Sequence, residues 1–168
     1  MGKVGMKHLL DHKTLLIQYL VPVAYTVIFY FLKVEPFDGS FWQVILILLG
    51  FYLGFALLWG DGKFLYALYN PTRPEPKRLI TRSILFLIAY LALSVFIITS
   101  SGNILGVGMI LGIGLQLALE LVENRIDYDL FHTRFLFQIK RRFSPAEIMW
   151  VVWGFTAWVI LAAAYFLR

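Results

Sequence analysis

Four polar residues recur at helical spacing where a long apolar stretch of the chain ends. Separated by intervals of four, three and four positions, they are Gln116, Glu120, Glu123 and Asp127. That spacing places them on one face of an α-helix, with the first two inside the apolar stretch. Since an ionisable group within a membrane span is by default a functional candidate, this stripe could carry protons or cations, or act on lipid head groups at the membrane surface.

The same carboxylates also allow a structural interpretation. Glu120 lies within one helical turn of the end of the apolar stretch, where snorkelling or pairing relieves its charge. Arg82 lies directly before the preceding apolar stretch, and the turn at residues 101–103 is so short that Arg82 and Glu120 stand at the same depth. We therefore weigh three outcomes: an ion pair of Arg82 with Glu120 or Glu123, simple solvation, and proton or cation handling.

Glycine is unusually frequent in the same part of the chain. The five glycines are Gly102, Gly106, Gly108, Gly112 and Gly114. Each glycine costs about 1 kcal/mol in a helix interior relative to alanine, and close contact between helices in a membrane is the usual compensation. We expect this face to pack against the first, third or fifth apolar stretch. A dimer interface, a contact with another subunit, and a gap for a lipid or ligand are the alternatives.

The elements that must position these residues are long and apolar. Hydrophobic residues make up 60% of the 168 residues and charged residues only 15%, whereas about a quarter of a soluble protein is charged. A spanning helix needs about 20 mostly apolar residues, and five windows qualify: 14–32, 41–59, 83–100, 104–122 and 148–167. They are too long and too uniformly apolar for barrel strands. The sequence predicts an all-α fold, a polytopic membrane bundle of five transmembrane helices in a single domain, residues 1–168.

The distribution of basic residues indicates an orientation. Of the 15 Lys and Arg residues, all but Lys33 and Arg168 precede the first window or fall in the second or fourth gap between windows. By the positive-inside rule, the N-terminus is cytoplasmic and the C-terminus outside, and we predict a bacterial cytoplasmic membrane. The net charge of +5 then favours contact with anionic head groups of the bilayer and gives no support to nucleic-acid binding.

Two cytoplasmic segments link the windows. Residues 60–80 form a loop whose prolines stiffen it and could dock a protein partner. Residues 123–143 have the pattern of an amphipathic helix lying in the membrane interface. Its aromatic and basic residues are Phe131, Arg134, Phe135, Lys140, Arg141 and Arg142. Ser144 and Glu147 then form a capping box with proline at the first helical position, which starts the last helix.

The chain lacks the motifs of common enzyme classes. It has no cysteine, no His-Glu-x-x-His zinc motif, no Gly-x-Ser-x-Gly elbow and no phosphate-binding loop. We therefore predict no catalytic, cofactor-binding or metal-binding residue. The leading hypothesis is a non-enzymatic membrane protein that acts as a subunit or assembly partner through its cytoplasmic face. The alternatives are a small transporter, channel or substrate-binding subunit that uses Gln116 and Glu120, and a lipid head-group enzyme at the inner surface.

Overall fold

The computed structural model describes residues 2–33, 41–61, 63, 79–100 and 102–168. Within these ranges the regular elements are all helices. In chain order they are α1 (Gly2–Lys33), α2 (Phe41–Gly60), a 3-10 helix (Ile80–Arg82), α3 (Ile84–Ser100), α4 (Ile104–Asn124), α5 (Tyr128–Phe135) and α6 (Pro145–Leu167). Most of the predicted proline-rich loop at 60–80 lies outside the described residues.

Four of these helices are long and apolar enough to cross a membrane. The qualifying segments are Leu16–Lys33, Phe41–Gly60, Ile104–Asn124 and Pro145–Leu167. α3 is also apolar but has only 17 residues, at the lower limit of about 17–25 residues for a spanning helix. The all-helical class predicted from the sequence is confirmed, and the long apolar helices indicate an integral membrane protein.

α4 lies at the centre of the bundle. Within its apolar window 61% of the residues are buried, against 28% for α2 and 17% for the windows in α1 and α6. α2 packs along α4, and α1, α3 and α6 also contact it. The residues that the sequence analysis singled out on α4 therefore lie mostly against other helices of the same chain.

Glycines bring α4 into backbone contact with α2. A Cβ atom added to Gly108 would collide with the carbonyl oxygen of Ile47, and one added to Gly112 would collide with the carbonyl oxygen of Phe51. Neither helix could approach so closely with a side chain at these positions. Because the matched positions ascend together along both helices, α2 and α4 run parallel.

α2 contributes two glycines of its own to this contact. A Cβ atom on Gly50 would lie 2.8 Å from the amide nitrogen of Met109, and one on Gly54 would lie 2.9 Å from that of Ile113. We call this contact the glycine seam, formed by Gly50, Gly54, Gly108 and Gly112. For Gly108 and Gly112, the prediction that the glycine face packs against the first, third or fifth span is wrong about the partner, which is the second span. Gly114 does contact the third and fifth spans, through Tyr90 and Val159. The same four-residue spacing of glycine on the second span makes α2 the helix that can approach α4 most closely.

The three remaining glycines of the predicted set lie away from the seam. Gly102 has a φ of +56° in the turn before α4, a left-handed conformation that glycine adopts at little cost. Gly106 has ordinary space, since the nearest atoms to an added Cβ lie at 3.6 Å. Gly114 lies under the Tyr90 side chain, whose hydroxyl donates a hydrogen bond to the carbonyl of Ile110 at 3.0 Å.

α5 is much shorter than the amphipathic helix predicted over 123–143. Its N-terminus is capped by Asp127, whose carboxylate accepts a hydrogen bond from the amide of Leu130 at 3.0 Å. Phe131 and Phe135 are fully buried, in a core shared with α3, α4 and α6. The predicted extent is wrong because the capping aspartate starts a new, short helix and the aromatic face turns into the bundle.

α6 begins at the capping box that the sequence pattern indicates. The Ser144 hydroxyl accepts a hydrogen bond from the amide of Glu147 at 3.3 Å, and the Glu147 carboxylate accepts one from the amide of Ser144 at 2.7 Å. Pro145 occupies the first helical position, where a missing N–H costs nothing. The reciprocal bonds satisfy main-chain donors that the first turn of a helix otherwise leaves unpaired.

Candidate functional site

Arg82 is a buried residue at the end of the 3-10 helix that leads into α3. Its guanidinium forms a bidentate ion pair with Glu120 on α4, with Nε 2.9 Å from Oε2 and Nη2 2.6 Å from Oε1. Charge-assisted pairs of this geometry are stronger and more directional than single contacts. We call the end of the bundle that holds this pair the Arg82 end, and the opposite end, where α1 and α6 terminate, the Lys33 end.

The remaining nitrogen of the Arg82 guanidinium contacts a third helix. Nη1 donates to the main-chain carbonyl of Leu58 in α2 and to the hydroxyl of Thr81, both at 2.9 Å. One side chain thus joins the ends of α2 and α4 to the start of α3. Arginine suits this position because its planar fork directs several donors at fixed angles.

Asp61, directly after α2, is a second buried carboxylate beside Arg82. Its Oδ2 lies 3.9 Å from Nη1 of Arg82 and accepts hydrogen bonds from the main-chain amide of Thr81, at 3.3 Å, and from the Thr81 hydroxyl. The sequence analysis did not single out Asp61. A signal was present, because an acid just past the end of one apolar window stands at the same level as an arginine just before the next window.

The polar contacts of Glu120 continue towards α1. Gln116, one turn earlier on α4, donates through Nε2 to Oε1 of Glu120 at 2.9 Å. Gln18 on α1 donates in turn to Oε1 of Gln116 at 2.6 Å. Because the Gln116 amide accepts from Gln18 and donates to Glu120, the two glutamines extend the ion pair across the bundle to α1.

The main chain of Glu120 is linked to α5. The side chain of Asn124 donates to the Glu120 carbonyl at 2.6 Å, and Arg134 donates to the Asn124 side chain at 3.2 Å. Asn124 is buried, and the sequence analysis did not anticipate it. Arg134, predicted as part of an interfacial basic pattern, instead uses its guanidinium to hold α5 against the end of α4.

The predicted polar stripe on α4 divides among different partners. Glu120 forms an ion pair with Arg82, whereas Glu123 accepts a hydrogen bond from the hydroxyl of Thr14 on α1. Asp127 is outside α4 and caps α5. The carboxylates therefore do not converge on one point, although the sequence spacing alone places them on a common face.

The residues around the ion pair form one connected set. We call it the Arg82 network, which comprises Gln18, Asp61, Thr81, Arg82, Gln116, Glu120, Asn124 and Arg134. Across the described part of the chain, every buried side-chain nitrogen or oxygen has a hydrogen-bond partner. No group of three or more His, Asp or Glu residues in the described ranges is arranged to hold a metal ion. The network can therefore bind five helices to one another, and its buried polar atoms are matched within the chain.

A basic surface follows α5 at the same end of the bundle. Lys140, Arg141 and Arg142 are exposed. Arg141 pairs with Glu147 of the capping box, and Arg142 lies 3.5 Å from the carboxylate of Asp129. These exposed pairs leave the basic groups open to further contacts, since a surface ion pair contributes about 0–1 kcal/mol.

No protein-family model, curated protein or solved structure matches this chain, so the roles of its residues rest on their geometry and chemistry.

Proposed function

We propose that the chain is a five-span, non-enzymatic integral membrane protein that serves as a subunit or assembly partner and contacts its partner at the cytoplasmic face. The observation that carries this proposal is the internal pairing of the Arg82 network. Its buried polar atoms already have partners within the chain. Its charges therefore stabilise the packing of the helices, and the exposed surface beside it is left for recognition.

The length and connection of α3 support a fifth span. Its 17 residues extend about 26 Å at 1.5 Å per residue, close to the hydrocarbon thickness of about 30 Å. α3 starts just after Arg82, beside the inner end of α4, and Gly102 and Asn103 lead into the outer end of α4. This connection supports a fifth span in which α3 crosses the membrane beside α4.

The charge distribution supports a cytoplasmic Arg82 end. All basic residues of the sequence except Lys33 and Arg168 fall at that end or in the segments joined to it, and basic residues are retained on the cytoplasmic side during insertion. This orientation exposes α5 and the basic segment after it to the cytoplasm and to the anionic head groups of the inner leaflet.

The cytoplasmic surface combines charge with exposed apolar groups. The side chain of Arg142 is 85% exposed, and Ile126, just before α5, is 77% exposed. Tyr128 at the start of α5 is 48% exposed. Aromatic and arginine side chains are enriched at protein interfaces, so this surface suits a protein partner that also lies at the membrane.

A small transporter, channel or substrate-binding subunit is the second candidate. The observation in its favour is the line of hydrogen bonds from Gln18 through Gln116 to Glu120, which carries polar groups into two apolar helices, α1 and α4. A functional role for this line predicts that Glu120→Gln leaves the fold intact but removes a measured transport activity. The lipid head-group enzyme has less support, because Glu123 and Asp127 contact partners away from Glu120.

Native mass spectrometry of the protein, taken from its own membrane into lipid nanodiscs, tests the partner role. We expect a stoichiometric second protein in the spectrum. Replacing residues 71–76 by a glycine-serine segment of equal length, or Lys140 and Arg142 by glutamine, should release that protein while the unfolding temperature stays unchanged.

A lone monomer or homo-oligomer in the wild-type spectrum would contradict the proposal. So would a partner that both variants retain at the wild-type ratio, because the contact would then lie away from the cytoplasmic surface. A conservative control, Lys140→Arg with Arg142→Lys, keeps the charge and should keep the partner.

A further inference from the structure

The two basic residues that charge counting assigns to the outer side lie together at the Lys33 end of the bundle. Lys33, the last residue of α1, and Arg168, directly after α6, both line a cavity of about 380 Å³ with Ile98, Tyr165 and Phe166. Within the described part of the chain neither residue forms an ion pair with an acidic side chain. Two cations in one partly apolar cavity favour an anion between them.

Packing between α1 and α6 fixes this arrangement. The rings of Phe29 and Phe166 stack with centroids 5.6 Å apart, and the Tyr25 hydroxyl donates to the main-chain carbonyl of Ala163 at 2.9 Å. Both contacts lie in the last third of each helix. The helix ends that carry Lys33 and Arg168 are therefore held side by side by aromatic packing.

An apolar groove of about 510 Å³ adjoins the cavity, between α3 and α6. The two spaces share Ile98, Tyr165 and Arg168. Its floor is positioned by Trp158, whose indole nitrogen donates to the Ser94 hydroxyl at 3.0 Å. The volume lies within the range of about 300–1,000 Å³ typical of small-ligand pockets.

The walls of the groove are apolar and open to the outside of the bundle. Val95 on α3 is 44% exposed, and Leu161 on α6 is 65% exposed. In a membrane this opening faces the acyl chains of the outer leaflet. A molecule with an anionic group and an apolar tail could therefore place its charge beside Lys33 and Arg168 and its tail in the groove.

We propose that this site binds one anionic phospholipid of the outer leaflet, with its phosphate between Lys33 and Arg168 and one acyl chain along the α3–α6 groove. The proposal is independent of a protein partner at the cytoplasmic face, and it rests on the proposed orientation of the bundle, which places the Lys33 end at the outer leaflet. Glu35 and Asp38, in the linker outside the described residues, are the alternative source of negative charge, and the experiment separates them from a lipid.

The test uses nanodiscs of equal parts phosphatidylglycerol and phosphatidylcholine with identical acyl chains, and counts the lipids that native mass spectrometry retains. We expect wild-type protein to hold one tightly bound phosphatidylglycerol. In Lys33→Gln with Arg168→Gln, the preference for phosphatidylglycerol at this site should fall roughly 25-fold, since each base near a membrane surface contributes about fivefold. The charge-preserving pair Lys33→Arg with Arg168→Lys should keep the preference.

A second pair of variants tests the groove. Ala164→Trp fills it and should remove the retained lipid, whereas Ala157→Trp, exposed on the same helix and outside the groove, should not. The proposal is overturned if wild-type protein retains the two lipids in their bulk ratio. It is also overturned if phosphatidylglycerol is preferred only after Glu35→Gln with Asp38→Asn, because the linker carboxylates would then be the natural counter-ions.

Discussion

The two halves of α4 hold their neighbours by different physical means. Between Ile104 and Gly114 the helix has no charged residue, and the glycine seam brings its backbone against that of α2. Between Gln116 and Asn124 the same helix uses hydrogen bonds and an ion pair to reach α1, the 3-10 helix that precedes α3, and α5. The first half depends on shape and the second on charge.

This difference follows from the solvent that surrounds each half. Within hydrocarbon, lipid tails are as apolar as leucine, so helices associate mainly through close van der Waals contact and a few hydrogen bonds. Near the head groups a charge can be accommodated at lower cost. An ion pair at the end of α4 and a glycine contact in its middle are each placed where the membrane makes them most favourable.

The largest expected effect comes from breaking the glycine seam. Gly108→Leu or Gly112→Leu places a side chain where the backbone of Ile47 or Phe51 lies, and backbone cannot move aside as a flexible side chain can. We expect loss of the monodisperse peak in size-exclusion chromatography and loss of a cooperative thermal transition. Gly154→Leu is the matched control, because no atom lies within 4 Å of a Cβ added there. Wild-type stability in both seam variants would refute the role of close packing.

Removing the Arg82–Glu120 ion pair should lower the free energy of unfolding by less than disruption of the glycine seam does, but the loss should still be large. Arg82→Met leaves the buried Glu120 carboxylate without its cation, which should lower the free energy of unfolding by about 3–5 kcal/mol. Arg82→Met combined with Glu120→Leu removes both charges and should recover most of that loss. Arg142→Met, at a side chain 85% exposed, should change stability by less than about 0.5 kcal/mol. Chemical unfolding in mixed micelles measures all three.

An equal loss in the single and double variants would contradict this interpretation of the charged half. In that case the contacts of Arg82 with Leu58 and Thr81, rather than its pairing with Glu120, would account for the stability. A further Thr81→Val variant would then separate those contacts from the ion pair.

A smaller change tests how far the charged half extends. Gln18→Leu removes the hydrogen bond to Gln116, and an interhelical side-chain bond in a membrane contributes about 0.6 kcal/mol on average. Gln43→Leu makes the same chemical change on α2 and corrects for the added apolar surface. We expect Gln18→Leu to be less stable than Gln43→Leu in the same unfolding assay. A more stable Gln18→Leu would show that the line of glutamines does not hold α1.

The smallest effect should come from a glycine outside the seam. Gly106→Ala meets only ordinary contacts at 3.6 Å, and alanine is favoured over glycine in a helix by about 1 kcal/mol. The variant should therefore be as stable as wild type or slightly more stable in the thermal assay. Destabilisation comparable to that of Gly112→Leu would mean that glycine content, rather than the α2–α4 contact, sets the stability of α4.

The helical elements could be predicted from the sequence because length and hydropathy are local properties. The windows 41–59, 83–100 and 104–122 differ from α2, α3 and α4 by at most two residues at either end. The capping box at Ser144 also depends on adjacent residues only. The extent of α5 could not be predicted in the same way, because it depends on whether Asp127 continues a polar face or caps a new helix.

The contacts between elements were predictable only where connectivity fixed the depth of a residue. The short turn between α3 and α4 places Arg82 level with Glu120, and the sequence analysis therefore included their pairing among its hypotheses. Which helix meets the glycines of α4 depends on the arrangement of the whole bundle. The four-residue spacing of Gly50 and Gly54 indicated that α2 could pack closely against another helix. It did not identify α4 as that helix, because α2 and α4 are separated in the sequence by α3 and their parallel pairing is not a local property.

The parallel contact of α2 with α4 has a consequence for biosynthesis. α2 and α3 are synthesised before α4, so the glycines of α2 have no α4 backbone to pack against until α4 has entered the membrane. A chain that stops after α3 lacks the partner for this face and also lacks Glu120, which leaves the Arg82 cation without its main counter-charge. Such incomplete chains would expose two defects at once to the proteases that survey newly inserted membrane proteins, and α4 is the segment whose arrival removes both.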